Sequence, residues 1–352
     1  MDKIKVAVIG CNTIANLSHI PAYMANNDCE IKYFCDIVPG RAEEMVAKYG
    51  VGKAVENYRD ILDDRELDAV SVCTTNNVHK LISVDFLNAG KNVLCEKPAA
   101  RNYPEVLEMQ DACKKSGKIL NIGVMNRFNT GVNRIKKMIG EGELGEVYHV
   151  YCSFRSSRSI PGLGGGFTTK DIAGGGVLLD WGVHFLDIIM YCVGDPPPRT
   201  VSGQAYCKLG KDIKNYTFLD MWAGPPNYNG VCNVEDFITG MIRTEGPTIT
   251  INGAWAQNIF VEESYIDFIG DKAGVRLNYG ADFTVYTTKD GAMFKTTPQF
   301  SSANAFYNII DEFLRSIRSG EKNPSHIDNV MATARIMQAL YDSSEKRQEI
   351  VL

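Results

Sequence analysis

Between residues 4 and 123, short apolar runs alternate with segments of helical periodicity, and this alternation limits the possible folds more than any other feature. The runs are rich in Val and Ile and are predicted as five strands, at residues 4–9, 31–35, 69–73, 92–95 and 119–123. Strands that are apolar along their whole length and joined by helices are typical of a parallel sheet covered on both faces. The sequence therefore predicts a doubly wound α/β domain in this part of the chain.

The pattern changes after the fifth strand. A glycine-dense stretch at residues 162–176 leads into an apolar helix at 177–193, and strands of alternating polarity follow between residues 200 and 288. Alternating strands joined by Gly, Asn and Asp turns are typical of an antiparallel sheet with one exposed face. We therefore predict an α/β domain over residues 1–125 and an α+β domain with a mostly antiparallel, open-faced sheet over residues 126–352.

The composition is that of an ordinary globular protein and excludes several classes of function. Hydrophobic residues make up 45% of the 352 residues and charged residues 22%. The 37 Lys and Arg residues are fewer than the 42 Asp and Glu residues, whereas a nucleic-acid-binding protein needs a surplus of cations. No apolar run approaches the ~18–20 residues of a membrane-spanning helix, and the charged start of the chain lacks the pattern of a signal peptide. We expect neither nucleic acid nor a membrane as a partner.

Ten cysteines stand singly along the chain and form no Cys-x-x-Cys pair. Half of them lie within or at the end of strand-like apolar runs, where a free cysteine behaves as a small hydrophobic residue. Free thiols are typical of reducing compartments, so we expect a cytoplasmic location. The predicted open sheet face also leads us to expect a homo-oligomer, because large apolar faces seldom stay in contact with water.

A glycine turn follows the first strand and opens the first helix. Its sequence, Gly-Cys-Asn-Thr-Ile-Ala at residues 10–15, resembles the G-x-G-x-x-G/A motif, in which the N–H groups at a helix N-terminus bind a pyrophosphate. The middle glycine is replaced by Asn12, and asparagine is the next residue most able to adopt a left-handed conformation. We therefore predict that Gly10, Asn12, Thr13 and Ile14 bind a dinucleotide; a simple strand–helix turn is the alternative.

Asp36 ends the second predicted strand, 26 residues after Gly10. A carboxylate at this point accepts hydrogen bonds from the adenine ribose and repels a 2′-phosphate, which favours NAD over NADP. Arg41 lies nearby and would accommodate a phosphate, so it is included among the cofactor-binding residues. The alternative interpretation of Asp36 is a helix cap before Gly40.

Three further segments carry a family resemblance. They are Thr-Thr-Asn-Asn-Val-His at residues 74–79, Cys-Glu-Lys-Pro at 95–98 and Gly-Gly-Gly-Val-Leu-Leu-Asp-Trp-Gly-Val-His at 174–184. In this order and spacing they resemble the glucose–fructose oxidoreductase/inositol dehydrogenase/rhizopine-catabolism (Gfo/Idh/MocA) family, over nearly the whole chain. The resemblance implies an N-terminal Rossmann domain that binds NAD(P), a C-terminal domain for substrate binding and oligomerisation, and oxidoreductase activity on ring hydroxyls of sugars and cyclitols.

The resemblance also implies roles for individual residues. Lys97 would hydrogen-bond the reacting hydroxyl and assist proton transfer, and the Lys97–Pro98 peptide bond would be cis. Asp180 and His184 would face the nicotinamide from the second domain, and Arg127 matches a position that often contacts substrate. The residues that would contact or frame the dinucleotide are Thr74, Asn76, His79, Glu96 and Lys97, although Thr75 replaces the proline that is commoner there.

The residues themselves support the same chemistry. Asp180 and His184 are four positions apart on one predicted helix and therefore share a face. When a hydride leaves a secondary alcohol, the hydroxyl proton must pass to a base, and a neutral His beside a carboxylate suits that task near neutral pH. A Lys close to a nicotinamide cation would stabilise a developing alkoxide. We assign His184 as the general base, Lys97 as its electrostatic and proton-relay partner, and Asp180 as orienter or substrate ligand.

A metal site is the competing interpretation of this helix. Asp180, His184 and Asp187 are spaced i, i+4 and i+7, which would suit an ion bound by two carboxylates and one imidazole. No further His or Cys in the neighbourhood supports an ion, so we predict no metal and regard Asp187 as a structural residue.

Substrate contacts are assigned to Arg127, Arg155 and Trp181. The glycine-dense segment 162–176 and the segment 215–229, which contains aromatic residues, are predicted to wall a sugar site, with ordinary aromatic packing as the alternative. The aromatic residues are Tyr216, Trp222 and Tyr228.

The predicted function is therefore NAD-dependent oxidation of a secondary ring hydroxyl, with C3 of a glucose-like sugar, glycoside or cyclitol as the expected position. Two alternatives remain open at this point. One is a glycoside-cleaving enzyme that retains NAD and oxidises the ring transiently, and the other is a non-catalytic, NAD-dependent regulator.

Overall fold

The computed structural model describes residues 2–219, 221, 223–280 and 282–352. The chain forms two compact units, each with its own sheet. The first unit consists of Met1–Phe128 and Ala303–Met331, and the second of Asn129–Ser302 and Ala332–Leu352.

The first unit contains the predicted parallel sheet, with six strands in the order β3-β2-β1-β4-β5-β6. The strands are β1 (Ile4–Ile9), β2 (Cys29–Cys35), β3 (Lys53–Val55), β4 (Ala69–Val72), β5 (Asn92–Cys95) and β6 (Leu120–Ile122). The winding reverses at β1, and open α/β sheets bind ligands at the carboxyl ends of the strands beside such a reversal. The sequence analysis missed β3, whose three residues are exposed or half-buried and too few to show a pattern.

Helices connect these strands. They are α1 (Ile20–Ala25), α2 (Arg41–Tyr49), α3 (Asn76–Asn88) and α4 (Tyr103–Ser116), with a π-helical turn at Ala15–His19 and 3₁₀ turns at Tyr58–Ile61 and Met125–Phe128. The ends of α4 show how local sequence sets these boundaries. The side chain of Asn102 accepts the N–H of Glu105, Pro104 occupies the first turn, and Gly117 ends the helix at a φ of 64°.

The second unit contains a nine-stranded sheet in the order β14-β13-β12-β11-β7-β10-β9-β8-β15, antiparallel except between β7 and β10. The strands are β7 (Val147–Arg155), β8 (Pro198–Tyr206), β9 (Phe237–Thr244), β10 (Thr248–Ala254), β11 (Glu263–Gly270), β12 (Ala273–Asn278), β13 (Phe283–Lys289), β14 (Ala292–Thr296) and β15 (Ile350–Val351). The prediction of a mostly antiparallel sheet is confirmed. β14 was missed because all five of its residues are exposed, which leaves no alternation of polarity to detect.

The helices of this unit are α5 (Thr130–Gly140), α6 (Lys170–Ala173) and α7 (Val183–Cys192), with a π-helical turn at Leu178–Gly182 before α7. By length and composition alone, the helical stretch Lys170–Cys192 is apolar enough to cross a membrane, contrary to our expectation that no run approached that length. However, 72% of its most apolar window is buried inside the protein, which is typical of a helix in a protein core.

The chain then returns to the first unit. Helix α8 (Ala305–Ser319) buries Ile309, Ile310 and Phe313 in the apolar cluster that also contains Ile20 of α1. Helix α9 (Ile327–Lys346) begins in the first unit and belongs to the second unit from Ala332 onward. The predicted continuous second domain, 126–352, is therefore corrected, because Ala303–Met331 completes the core of the first unit. The periodicity of α8 indicated a helix but not the surface that its apolar face covers.

Candidate functional site

The turn after β1 requires its first glycine. Gly10 has a φ of +89°, and a Cβ atom there would stand 2.5 Å from the carbonyl oxygen of Cys73, just beyond β4. The N–H of Gly10 donates to the carbonyl of Cys35 at 2.8 Å. The helix begins at Thr13, and Asn12 and Thr13 are exposed, so a ligand can reach the start of the helix, where the first-turn N–H groups have no partner within the helix.

Asp36 holds this turn from the end of β2. One carboxylate oxygen accepts the N–H of Cys11 and the other the N–H of Val38, both at 2.8 Å. The Arg41 guanidinium lies 3.3 Å from each oxygen. The alternative of a helix cap is wrong, because α2 starts from Gly40 without any side-chain cap. Asp36 thus joins the glycine turn to Arg41, the other residue predicted to meet the ribose or its phosphate.

The ends of β4 and β5 carry the next predicted residues. The Thr74 Oγ1 atom is buried and has no hydrogen-bond partner among the described residues, which suits a ligand hydroxyl or amide. Asn76 is half-buried at the start of α3. His79, in contrast, is only 1% exposed, and its ring nitrogens lie 2.8 Å from the Pro98 carbonyl and 3.1 Å from the Thr74 carbonyl. His79 thus connects the loop after β4, through Thr74, with the loop after β5, through Pro98.

Lys97 follows β5 and is half-buried, and its peptide bond to Pro98 is cis, as predicted. Its backbone N–H donates to Glu96 Oε2 at 3.0 Å. The other oxygen of Glu96 lies 2.8 Å from Nε2 of His19, a buried residue that the sequence analysis did not single out. Burial opposes ionisation of Glu96, but the hydrogen bond from His19 and the charges of His19 and Lys97 hold the pKa of its carboxyl below the usual value.

These residues fit a dinucleotide. The glycine turn, Asp36, Thr74 and the Glu96–Lys97 pair stand at the carboxyl ends of β1, β2, β4 and β5, on the edge where parallel sheets bind ligands. The Thr74 Oγ1 atom, which has no partner among the described residues, and the N–H groups at the exposed start of the helix offer the partners that phosphate and ribose groups need.

In the second unit, Glu235 holds the turn that carries Asp180. Its carboxylate accepts the N–H groups of Gly176 at 2.8 Å and Leu178 at 3.0 Å, and the hydroxyl of Tyr341 at 2.8 Å. Burial raises the pKa of Glu235 despite these three donors. A Cβ atom on Gly176 would lie 1.9 Å from the Glu235 carbonyl oxygen, which explains the glycine.

Asp180 and His184 stand on the π-helical turn and the start of α7, and both are half-buried. The indole N–H of Trp255 donates to Asp180 Oδ2 at 3.2 Å, and the His184 ring lies 6.2 Å from that of Tyr279. Asp187 is 1% exposed and sits in the core, as a structural residue would. No group of three or more His, Cys, Asp or Glu side chains suited to a metal ion is found among the described residues.

The predicted substrate residues occupy three different settings. Arg127 is buried and donates to the carbonyls of Pro324 at 3.2 Å and Asn329 at 3.0 Å, which gives it a structural role in the first unit. Arg155 ends β7 and pairs with Glu263 of β11. Trp181 is partly buried against the core of the second unit. Contact between any of these side chains and a substrate stays a prediction.

The two segments predicted as substrate walls contact each other. The N–H of Asn227 donates to the Leu163 carbonyl at 2.7 Å. Just beyond the second segment, the Val231 carbonyl accepts the Thr168 hydroxyl at 2.8 Å. Tyr216 is buried, so its ring is a packing residue, as the alternative interpretation held. Trp222 lies outside the described residues.

The residues that the sequence analysis missed contact the predicted segments directly or through one another, and all but the half-buried Tyr341 are buried. They are His19, Ser71, Tyr23, Glu235, Tyr341 and Trp255. His19 gave one usable signal, since a histidine inside an otherwise apolar segment needs a buried partner. The others lie far along the chain from the residues they contact and show no pattern.

Comparison with known proteins covers both units. A family model described as an oxidoreductase family with an NAD-binding Rossmann fold matches residues 4–124, and a model of the GFO/IDH/MocA C-terminal domain matches residues 132–276. D-glucoside 3-dehydrogenase of Escherichia coli (strain K12) is 29% identical over 352 residues, which cover 99% of this chain and 97% of that protein.

Solved structures show the same fold. Aldose-aldose oxidoreductase from Caulobacter crescentus, complexed with glycerol, has a TM-score of 0.83 at 22% identity, with 99% of this chain and 100% of that chain covered. Levoglucosan dehydrogenase in complex with NADH and levoglucosan has a TM-score of 0.83 at 21% identity, with 100% and 99% covered. The predicted fold class and NAD cofactor are thereby confirmed, and the chain belongs to the Gfo/Idh/MocA family of NAD-binding oxidoreductases.

Proposed function

We propose that this protein oxidises a secondary ring hydroxyl of a glucose-like sugar, glycoside or cyclitol, with C3 of a glucoside as the position. The observation that carries the proposal is the half-buried Lys97 at the carboxyl end of β5, with its backbone N–H bonded to a buried carboxylate. The likeness to D-glucoside 3-dehydrogenase along 99% of the chain supports the substrate class and the position.

NAD, when bound, supplies the acceptor for the hydride that leaves the substrate carbon. His184 accepts the proton of the hydroxyl, because a neutral imidazole is basic enough near neutral pH. The Lys97 ammonium group stabilises the negative charge that develops on an alcohol oxygen as its proton leaves. Asp180, whose Oδ2 atom is held by the Trp255 indole, orients the substrate or the imidazole.

The test is a turnover assay with NAD and a panel of glucose, alkyl glucosides and inositol, followed through the absorbance of reduced nicotinamide. Lys97→Met and His184→Asn are each expected to reduce kcat by at least about 1,000-fold, while the Kd for NAD changes by less than about 3-fold. Lys115→Met is the matched control, because Lys115 is a surface residue paired only one turn away with Asp111. Near-wild-type turnover in both active-site variants would contradict the proposal.

Product analysis then decides the position and the reaction type. Nuclear magnetic resonance of the oxidised glucoside identifies the carbon that has become a carbonyl, and a carbonyl anywhere but C3 would contradict that part of the proposal. Release of the aglycone without accumulation of reduced nicotinamide would instead indicate the NAD-retaining glycoside-cleaving alternative. NAD binding without hydride exchange on any substrate would indicate the regulator.

We also propose a homo-oligomer and a cytoplasmic location. One face of the second sheet carries exposed Tyr151, Tyr286 and Met293, which supports a second copy as its partner. All ten cysteines are free, which supports a reducing compartment. Light scattering after gel filtration tests the first point: a monomer at micromolar concentration would contradict it. Fractionation of the source cells tests the second.

A further inference from the structure

Two buried histidines of the first unit contact the residues immediately before and after Lys97. His19 contacts the side chain of the preceding residue, Glu96, and His79 contacts the backbone of the following residue, Pro98. The two rings are 2% and 1% exposed. Rings this deeply buried act through the groups they touch, so their contacts define what they do.

His19 belongs to a chain of hydrogen bonds that runs from Tyr23 to Glu96. The Tyr23 and Ser71 hydroxyl oxygens are 2.7 Å apart, Ser71 Oγ lies 3.1 Å from His19 Nδ1, and His19 Nε2 lies 2.8 Å from Glu96 Oε1. A proton on Nε2 lets the ring donate to the carboxylate. The Ser71 hydroxyl, which can both donate and accept, satisfies His19 Nδ1 and the Tyr23 hydroxyl.

Glu96 passes this constraint on to Lys97. Its Oε1 atom is held by His19, and its Oε2 atom accepts the backbone N–H of Lys97 at 3.0 Å. Gly123 also lies close to the carboxylate, because a Cβ atom built on it would stand 2.8 Å from Oε1 and 3.0 Å from Oε2. The carboxylate therefore has little freedom to move, and the amide of Lys97 is fixed with it.

His79 fixes the other side of Lys97. The His79 Nδ1 atom lies 2.8 Å from the Pro98 carbonyl oxygen, and Nε2 lies 3.1 Å from the Thr74 carbonyl oxygen. Burial lowers the pKa of His79, although the hydrogen bonds to the two carbonyls oppose this effect, so the ring is neutral at pH 7. The shorter contact assigns its single proton to Nδ1, as a donor to Pro98.

We propose that His19 and His79 are positioning residues that fix the backbone on both sides of Lys97 and thereby the direction of its ammonium group. The inference rests on the proposed role of Lys97. The two rings belong to different elements, the π-helical turn and α3. His19 therefore restrains the loop before Lys97, and His79 restrains it after Lys97. Misplacement of a reacting group by about 1 Å costs about 100-fold in rate, which sets the expected size of the effect.

Amide side chains of two lengths give a crossed test. Glutamine carries its N–H₂ group near the position of histidine Nε2, and asparagine near that of Nδ1. His19→Gln therefore keeps the donor to Glu96 and His19→Asn loses it, whereas His79→Asn keeps the donor to Pro98 and His79→Gln loses it. His326→Gln is the control, since His326 is also buried in the first unit but contacts Cys113 and Asp328 instead.

In full-length protein, His19→Asn and His79→Gln are expected to lower kcat about 100-fold, while KM for the sugar and Kd for NAD change less than about 3-fold. The variants that keep the donor, His19→Gln and His79→Asn, are expected to stay within about 5-fold of the wild-type kcat. Equal losses for both substitutions at one position would overturn the inference, because a merely structural role does not depend on which atom carries the donor.

Hydrogen exchange of the peptide covering residues 95–100, without added NAD or sugar, gives a second readout. Loss of the His19–Glu96 bond is expected to speed exchange of the Lys97 amide at least about 10-fold in His19→Asn, with no change there in His326→Gln. If the wild-type protein oxidises no sugar, the proposed function fails, and this exchange alone decides the inference. Wild-type exchange in both His19→Asn and His79→Gln would overturn it.

Discussion

Glu96 in the first unit and Glu235 in the second are both buried carboxylates beside predicted catalytic residues, yet their pKa values shift in opposite directions. Burial raises both. At Glu96 the hydrogen bond and charge of His19 and the charge of Lys97 outweigh burial, and the pKa is lowered. At Glu235 the donors are two backbone N–H groups and the Tyr341 hydroxyl, and the pKa stays raised.

The difference shows that the number of hydrogen bonds does not decide the charge state of a buried acid. Three neutral donors hold Glu235, whereas one imidazole and one backbone N–H hold Glu96. A neighbouring cation adds a favourable interaction that falls off slowly with distance, while a neutral dipole acts only in contact. The surroundings of Glu96 thus favour its ionised form next to Lys97. Those of Glu235 provide hydrogen bonds from N–H groups at the start of a helical turn but do not offset the cost of burying its charge.

The largest loss of stability is expected from adding a side chain at Gly176, which lies against the backbone of Glu235. Gly176→Ala places a methyl group 1.9 Å from the Glu235 carbonyl oxygen, which the backbone must move to accommodate, at a cost of about 3 kcal/mol in unfolding free energy. Urea unfolding followed by tryptophan fluorescence measures this in the second unit, because all three tryptophans lie between residues 129 and 302.

Gly140→Ala is the matched control for that substitution. Nothing lies within 4 Å of a Cβ atom at this end of α5, so the unfolding free energy is expected to change by less than about 1 kcal/mol. Equal effects of the two alanines would show that the contact between Gly176 and Glu235 does not hold the turn.

The second prediction concerns pH. The lowered pKa of Glu96 gives stability that is present above the usual value of 4.5 and is lost as the pH falls through the folded-state value. The raised pKa of Glu235 gives stability that is present below 4.5 and is lost as the pH rises through the folded-state value. Removing each carboxyl should therefore reveal opposite pH dependences.

Glu96→Gln and Glu235→Gln provide the measurement. From neutral pH down through 4.5, the loss of unfolding free energy caused by Glu96→Gln should shrink, and that caused by Glu235→Gln should grow. Each pKa unit of difference corresponds to about 1.4 kcal/mol. Hydrogen exchange of peptides from each unit reports the two effects separately. If the loss of unfolding free energy changed with pH in the same direction for both variants, the contrast between Glu96 and Glu235 would be contradicted.

The smallest effects are expected from two buried tyrosine hydroxyls. Tyr341→Phe removes a donor to a carboxylate and should cost about 2 kcal/mol, whereas Tyr23→Phe removes a bond between two neutral hydroxyls and should cost about 1 kcal/mol. Tyr148→Phe, at an exposed position, serves as the control and should leave the unfolding free energy unchanged. A larger cost for Tyr23→Phe than for Tyr341→Phe would contradict this ranking.

Local signals in the sequence predicted the parallel sheet, the glycine turn after β1 and the placement of Lys97 after β5. Each depends on residues adjacent in the chain, where periodicity and turn chemistry act directly. Glu235 could not be found in this way, because it meets Gly176 and Leu178 only through the fold. The π-helical turn at Leu178–Gly182 was also missed, since one widened turn barely disturbs the periodicity of an apolar helix.

The return of α8 to the first unit has a consequence for the order of events during synthesis. The N-terminal sheet leaves the ribosome with its strands complete by Ile122, but Ile309 and Phe313, which finish its core, are made only after the entire second sheet up to β14. At 5–20 residues per second, the first unit waits roughly 10–40 s with an apolar face uncovered. A fragment ending at residue 128 would stay in that condition permanently, although it contains every strand of the first sheet.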